Sequence, residues 1–130
     1  MNGVLKVGSS PTITTKISKM SRFEISEGKG FHMTFSNNWH ISVQFGRGNL
    51  CSRRDTANYE GDLYHTSDNA EIAVWSEPKQ KFDFVYLESD QVRGWCTTDE
   101  VAEVISIISK AKSTLTNKQM SKKLNKVWKW

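Results

Sequence analysis

The clearest pattern in the chain is a pair of alternating runs. Phe31, Met33 and Phe35 alternate with His32 and Thr34, and Trp39, Ile41, Val43 and Phe45 alternate with His40, Ser42 and Gln44. Period-two alternation marks a strand with one buried face, and two such runs across a short polar gap make a β-hairpin. The same pattern selects the register. A two-residue turn at Asn37-Asn38 would pair Phe35 with His40 and set the two apolar rows on opposite faces. A three-residue loop, Ser36 to Asn38, pairs Phe35 with Trp39, Met33 with Ile41 and Phe31 with Val43, which keeps one apolar face. Each large apolar side chain gains roughly 1.5–3 kcal/mol on burial, so the second register is expected.

Strand signals return at Ala70 to Trp75, at Phe82 to Leu87 after Pro78, and at Val92 to Cys96. Thr97 with Glu100 three residues later forms a capping box, after which Val101, Val104, Ile105, Ile108 and Ala111 recur at helical spacing. A break at Ser113 to Asn117 precedes Met120, Leu124, Val127 and Trp128, again at helical spacing and set among lysines. The expected fold class is α+β: an antiparallel sheet of about five strands, a C-terminal amphipathic helix packed on one face, and a second short basic helix. Residues 1–19, rich in Ser, Thr and Lys and lacking either period, are expected to be a flexible N-terminal arm. Residues 20–112 then form the α+β domain and 113–130 the basic C-terminal helix.

Charge divides the chain unevenly. No acidic residue follows Glu103, whereas Lys110, Lys112, Lys118, Lys122, Lys123, Lys126 and Lys129 do, out of 18 basic residues in all. The body is slightly acidic and the tail strongly basic, so the tail suits phosphates, an acidic partner, or simply solvent. No stretch reaches the roughly 18 consecutive apolar residues of a membrane span, and the N-terminus has no apolar leader. A cytoplasmic location without membrane association is expected. Cys51 and Cys96 stand alone without C-x-x-C spacing, which points to two reduced thiols rather than zinc or a disulfide framework. No metal or cofactor is expected.

The candidate binding chemistry starts where the second run ends. From Gln44 to Arg54 the chain carries Gly46 and Gly48 and gathers Arg47, Arg53 and Arg54 around Asn49. Glycines can free backbone N–H groups to face an anion, and guanidinium forks match phosphate or carboxylate. The alternative is a glycine-rich strand exit with solvated arginines; neither a Walker A loop nor a G-x-G-x-x-G fingerprint is present. Gln44 and Asn49 could read a base or ribose, Trp39 or Trp75 could stack on it, and Glu71 could pair with the arginines. His32 and His40 lie in H-x-S/T triplets on the polar hairpin face, with a third triplet at His65, so a metal-free two-histidine phosphodiesterase is a further reading. Trp128 and Trp130 among the lysines suit single-stranded nucleic acid or a partner groove.

The runs "GFHMTFSNNWHISVQFGRGNLCSRR", "SDNAEIAVWSE" and "VRGWCTTDEVAEVISIIS" resemble a group of small accessory proteins of tailed bacteriophages, over about Ser21 to Lys110. The resemblance implies a viral protein in the host cytoplasm. By analogy of size and origin, it suggests an anti-defence protein that sequesters a phosphorylated small molecule such as a nucleotide immune signal. Under that reading the chain is a binding protein rather than an enzyme, and a homodimer is expected. The alternative is a protein-protein inhibitor that docks a host defence enzyme through the basic C-terminal helix.

Overall fold

The computed structural model describes residues 21–26, 29–55, 66–76 and 83–129. The expected arm at 1–19, His65 and Trp130 lie outside the described residues. Five strands form one antiparallel sheet in chain order: β1 (Arg22–Ile25), β2 (Gly30–Thr34), β3 (Trp39–Gln44), β4 (Ala70–Ser76) and β5 (Arg93–Cys96). Helix α1 (Thr98–Ser109) and helix α2 (Asn117–Leu124) follow, the latter running into a 3-10 turn, Asn125–Trp128. The fold is α+β, as the periodicities imply.

The hairpin takes the three-residue register. Phe31 lies opposite Val43 and Met33 opposite Ile41, and the Phe35 N–H donates to the Trp39 carbonyl at 2.9 Å. The loop closes because Asn38 adopts φ +76°, a left-handed conformation that asparagine tolerates better than most residues. Asn37 accepts the Trp39 N–H through Oδ1 at 3.1 Å.

The strand count matches the expectation, but one member differs. Asp83 to Leu87 is not a strand: Val85 N–H donates to Val74 O, and Leu87 makes a single bridge with Asp90. The rest of this segment is held by α2 and the 3-10 turn. Asn117 Nδ2 donates to Asp83, Ser121 Oγ to the Tyr86 carbonyl, and Asn125 Oδ1 accepts the Glu88 N–H. With helix side chains meeting its backbone, the segment forms a seam between sheet and helix instead of a ladder. The fifth strand is Arg22–Ile25, which was too short to show a period and pairs with β2 from Arg22 opposite Thr34 to Ile25 opposite Phe31.

Both helices pack on the sheet face that carries Trp39, Ile41, Val43, Ile72 and Val74. Val104 and Ile108 of α1 join Met120 and Leu124 of α2, and Trp128 of the 3-10 turn, in one buried cluster. The expected capping box of α1 is present, with Thr97 N–H donating to Glu100 Oε1 at 2.9 Å and Glu100 N–H to Thr97 Oγ1 at 3.1 Å. Helix α2 has a second, Thr116 with Gln119, which the sequence Thr-Asn-Lys-Gln carried in plain sight. Cys51 and Cys96 are both buried free thiols.

Candidate functional site

The glycine-arginine loop is a folded plug in which most backbone donors from Gly48 to Arg54 are already bonded. Gly48 N–H donates to Arg54 O, Asn49 N–H to Gly46 O, Cys51 N–H to Asn49 O, and Arg54 N–H to Cys51 O. Leu50 N–H reaches Glu71 Oε1 at 3.4 Å and Ser52 N–H reaches Asn69 Oδ1 at 2.7 Å. The loop is fastened to β5 as well, because Trp95 N–H donates to Leu50 O at 2.8 Å. Backbone donors already bonded within the fold cannot also cradle a phosphate, so Gly48 offers no N–H to an anion nest.

The same fold sets Gln44 directly opposite Glu71 across β3 and β4 but engages the polar groups of the expected site residues internally. Gln44 Nε2 donates to Ser26 Oγ and Ser42 Oγ, Asn49 Nδ2 to Gly46 O, and Glu71 is taken by Leu50. Arg47 and Arg54 are exposed and Arg53 is half-buried. Trp39 is 0% exposed, and its indole N–H donates to the Lys112 carbonyl at 3.1 Å. It is a core residue with no face for a ligand, which corrects its proposed stacking role. Trp128 is likewise core, with the Arg93 guanidinium 4.4 Å above its ring.

On the sheet face away from the helices, Trp75 lies against both hairpin histidines. It stacks on His40 at 5.2 Å between ring centroids and 8° between planes, and meets His32 edge-on at 5.8 Å. Phe84 closes its other edge at 5.5 Å. His40 is 8% exposed and shares a 3.0 Å hydrogen bond between Nδ1 and Thr34 Oγ1. An imidazole covered by an indole cannot reach a phosphodiester, so the His32/His40 acid-base pairing finds no geometry here. Among the described residues, no cluster of His, Cys, Asp and Glu could hold a metal ion, and no helix is long and apolar enough to cross a membrane.

Positive charge does gather elsewhere, at the end of the chain. Met120, Leu124 and Trp128 recur every four residues and turn inward, so Lys122, Lys123, Lys126 and Lys129 turn outward on the opposite side. With Gln119 and the half-buried Leu115 they line a cleft of about 520 Å³. Among the described residues no carboxylate lines it and none of its lysines makes an ion pair. A second cleft, about 490 Å³, lies between α1 and the sheet; it is walled by Phe31, Val43, Phe45, Val101 and Ile105 and carries no charged group. The lysine stripe is legible in the sequence once Met120, Leu124 and Trp128 are recognised as the buried side.

Compared with protein-family models, with curated proteins and with solved structures, the chain matches none. Function therefore has to be read from the geometry of the chain itself.

Proposed function

We propose that this protein is a non-enzymatic binding protein for a phosphate-bearing small molecule, held in the lysine cleft of α2 and the 3-10 turn rather than on the glycine-arginine loop. One observation carries the reading: four lysines converge on a cleft of about 520 Å³, and among the described residues none of its wall is acidic. That volume lies within the roughly 300–1,000 Å³ typical of small-molecule sites. Ammonium groups on flexible stems bind phosphates as point charges, and Gln119 adds a neutral donor and acceptor for a base or sugar. In the setting that the phage resemblance implies, the host cytoplasm, the ligand would be a nucleotide immune signal and the protein would act by depleting it.

The inhibitor reading loses one of its two aromatic anchors, since Trp128 is buried in the core. The test is titration calorimetry of the full chain against a panel of mono-, di- and cyclic nucleotides. Binding should fall at least tenfold in the Lys122→Ala/Lys126→Ala double variant and stay unchanged in Arg53→Ala/Arg54→Ala. The opposite ranking would return the site to the loop, and no heat with any nucleotide would remove the proposal.

A further inference from the structure

Among the described residues strand β1 ends the sheet, and its apolar side chains face solvent: Phe23 is 75% exposed and Ile25 86%. They lie on the helix side of the sheet, opposite Met33 and Phe31, but α1 packs over β3 and β4 and leaves this margin open. The backbone parity of the strand is also defined. Ser26 N–H donates to Gly30 O at 3.0 Å, so Ser26, Glu24 and Arg22 turn their backbone groups toward β2. Phe23 and Ile25 therefore turn theirs outward. An open edge with exposed apolar residues and outward N–H and C=O groups is a template for another strand.

The sequence of this edge selects the strand that fits it. Arg22-Phe23-Glu24 reads as its own charge complement when reversed about Phe23. In an antiparallel pairing centred there, Phe23 faces the partner's Phe23 through two backbone hydrogen bonds. Arg22 then faces the partner's Glu24 on the other sheet face, and this happens twice by symmetry. A shift of two residues one way sets Glu24 against the partner's Glu24, and two the other way sets Arg22 against the partner's Arg22. A shift of one exchanges the faces of the sheet. Of these registers only the one centred on Phe23 satisfies face and hydrogen-bond parity and also pairs opposite charges. Within the chain Arg22 Nε already lies 3.5 Å from Glu24 Oε1, so pairing would close a four-membered ion network.

We propose that a second copy of this chain docks along β1, antiparallel about a two-fold axis at Phe23, to form one continuous sheet across an isologous dimer. Sedimentation of the full chain should show a concentration-dependent dimer. Arg22→Glu and Glu24→Arg, each of which sets like charges opposite one another, should raise its dissociation constant about tenfold or more. The double exchange Arg22→Glu/Glu24→Arg should restore it, because the pairs re-form with reversed sign. Both positions are exposed, and circular dichroism will confirm that each variant is folded. Phe23→Cys supplies an independent check: with Cys51 and Cys96 buried, mild oxidation should crosslink the dimer through position 23, whereas Ile25→Cys should not. A chain that stays monomeric, dimerises only after residues 1–19 are removed, or dimerises unchanged in both single variants would overturn the proposal. So would crosslinking at 25 in preference to 23.

Discussion

Asn37, in the loop between β2 and β3, donates from Nδ2 to the carbonyl of Ile108 in the last turn of α1 at 2.7 Å, and to Ala111 O at 2.8 Å. The carbonyls that end a helix have no partner within it; here a hairpin loop 71 residues earlier in the chain supplies one. Trp39 adds a third tie from the same hairpin to Lys112 O. The register of the hairpin and the docking of the helix are thus one structural decision.

Asn37→Ala should therefore destabilise the fold by about 1–3 kcal/mol, since it removes two part-buried hydrogen bonds to the end of α1 and leaves Ile108 O to its longer backbone partner, Ala111 N–H. Asn37→Asp keeps the oxygen that accepts Trp39 N–H but faces the two carbonyls with a carboxylate, and should cost at least as much. Urea denaturation of the two variants measures this. A neutral Asn37→Asp would mean that the helix ties contribute nothing.

The basic C-terminal segment should not be removable. Met120, Leu124 and Trp128 lie in the same buried cluster as Trp39 and Ile41, so truncation before Lys118 should unfold the domain rather than merely trim a tail. Trp128→Ala should cost roughly 3–5 kcal/mol, including the loss of its contact with Arg93. Thermal denaturation followed by circular dichroism will show it.

Gly94→Ala should loosen the loop at 46–54. A Cβ at this position would stand 2.5 Å from Leu50 Cβ and 3.1 Å from Leu50 O, forcing apart the contact through which the loop is fastened to β5. Hydrogen exchange should rise at the amides of Gly48 to Arg54 and remain unchanged in β2 and β3.

Burial, reinforced by the nearby Glu100 carboxylate, pushes the Cys96 thiol up to about 12. Below pH 9, the ordinary thiol value here, folded and unfolded chains both keep the proton. As pH climbs from 9 toward 12 only the unfolded chain ionises, so the contribution of Cys96 to stability is present below that window and is lost across it. The stability gap between the wild type and Cys96→Ala should narrow over the same range. At pH 8, thiol reagents should label Cys96 only after denaturation.

Nucleotide binding at the lysine cleft should weaken steeply with salt, because exposed ammonium groups are screened within about 8 Å at physiological ionic strength. Lys126→Glu, which reverses one charge, should cost more than Lys126→Ala. Calorimetry at two salt concentrations separates this from binding at the arginines, for which neither change at Lys126 should matter.

The sequence by itself determined the local rules. Alternation at 31–45 settled the hairpin and its register, because only one pairing buries Phe31, Met33, Trp39, Ile41 and Val43 on one face. Thr97 and Glu100, with apolar residues at helical spacing, settled α1. What the tertiary structure decided is which polar groups remain available after folding. Gly48, Gln44 and Asn49 looked free along the chain, yet the backbone must satisfy its own donors first, and the loop spends them on itself and on Asn69 and Glu71. Phe82 to Leu87 reads as a strand, but over its described residues, 83–87, α2 reaches the backbone with Asn117 and Ser121, and Asn125 of the 3-10 turn holds the next residue, Glu88. Trp128, read as an exposed anchor, is drawn into the core because its neighbours at every fourth position are Met120 and Leu124. Periodicity reports which face of an element is apolar; only the packed molecule decides what meets each face and which charges are left to face a ligand.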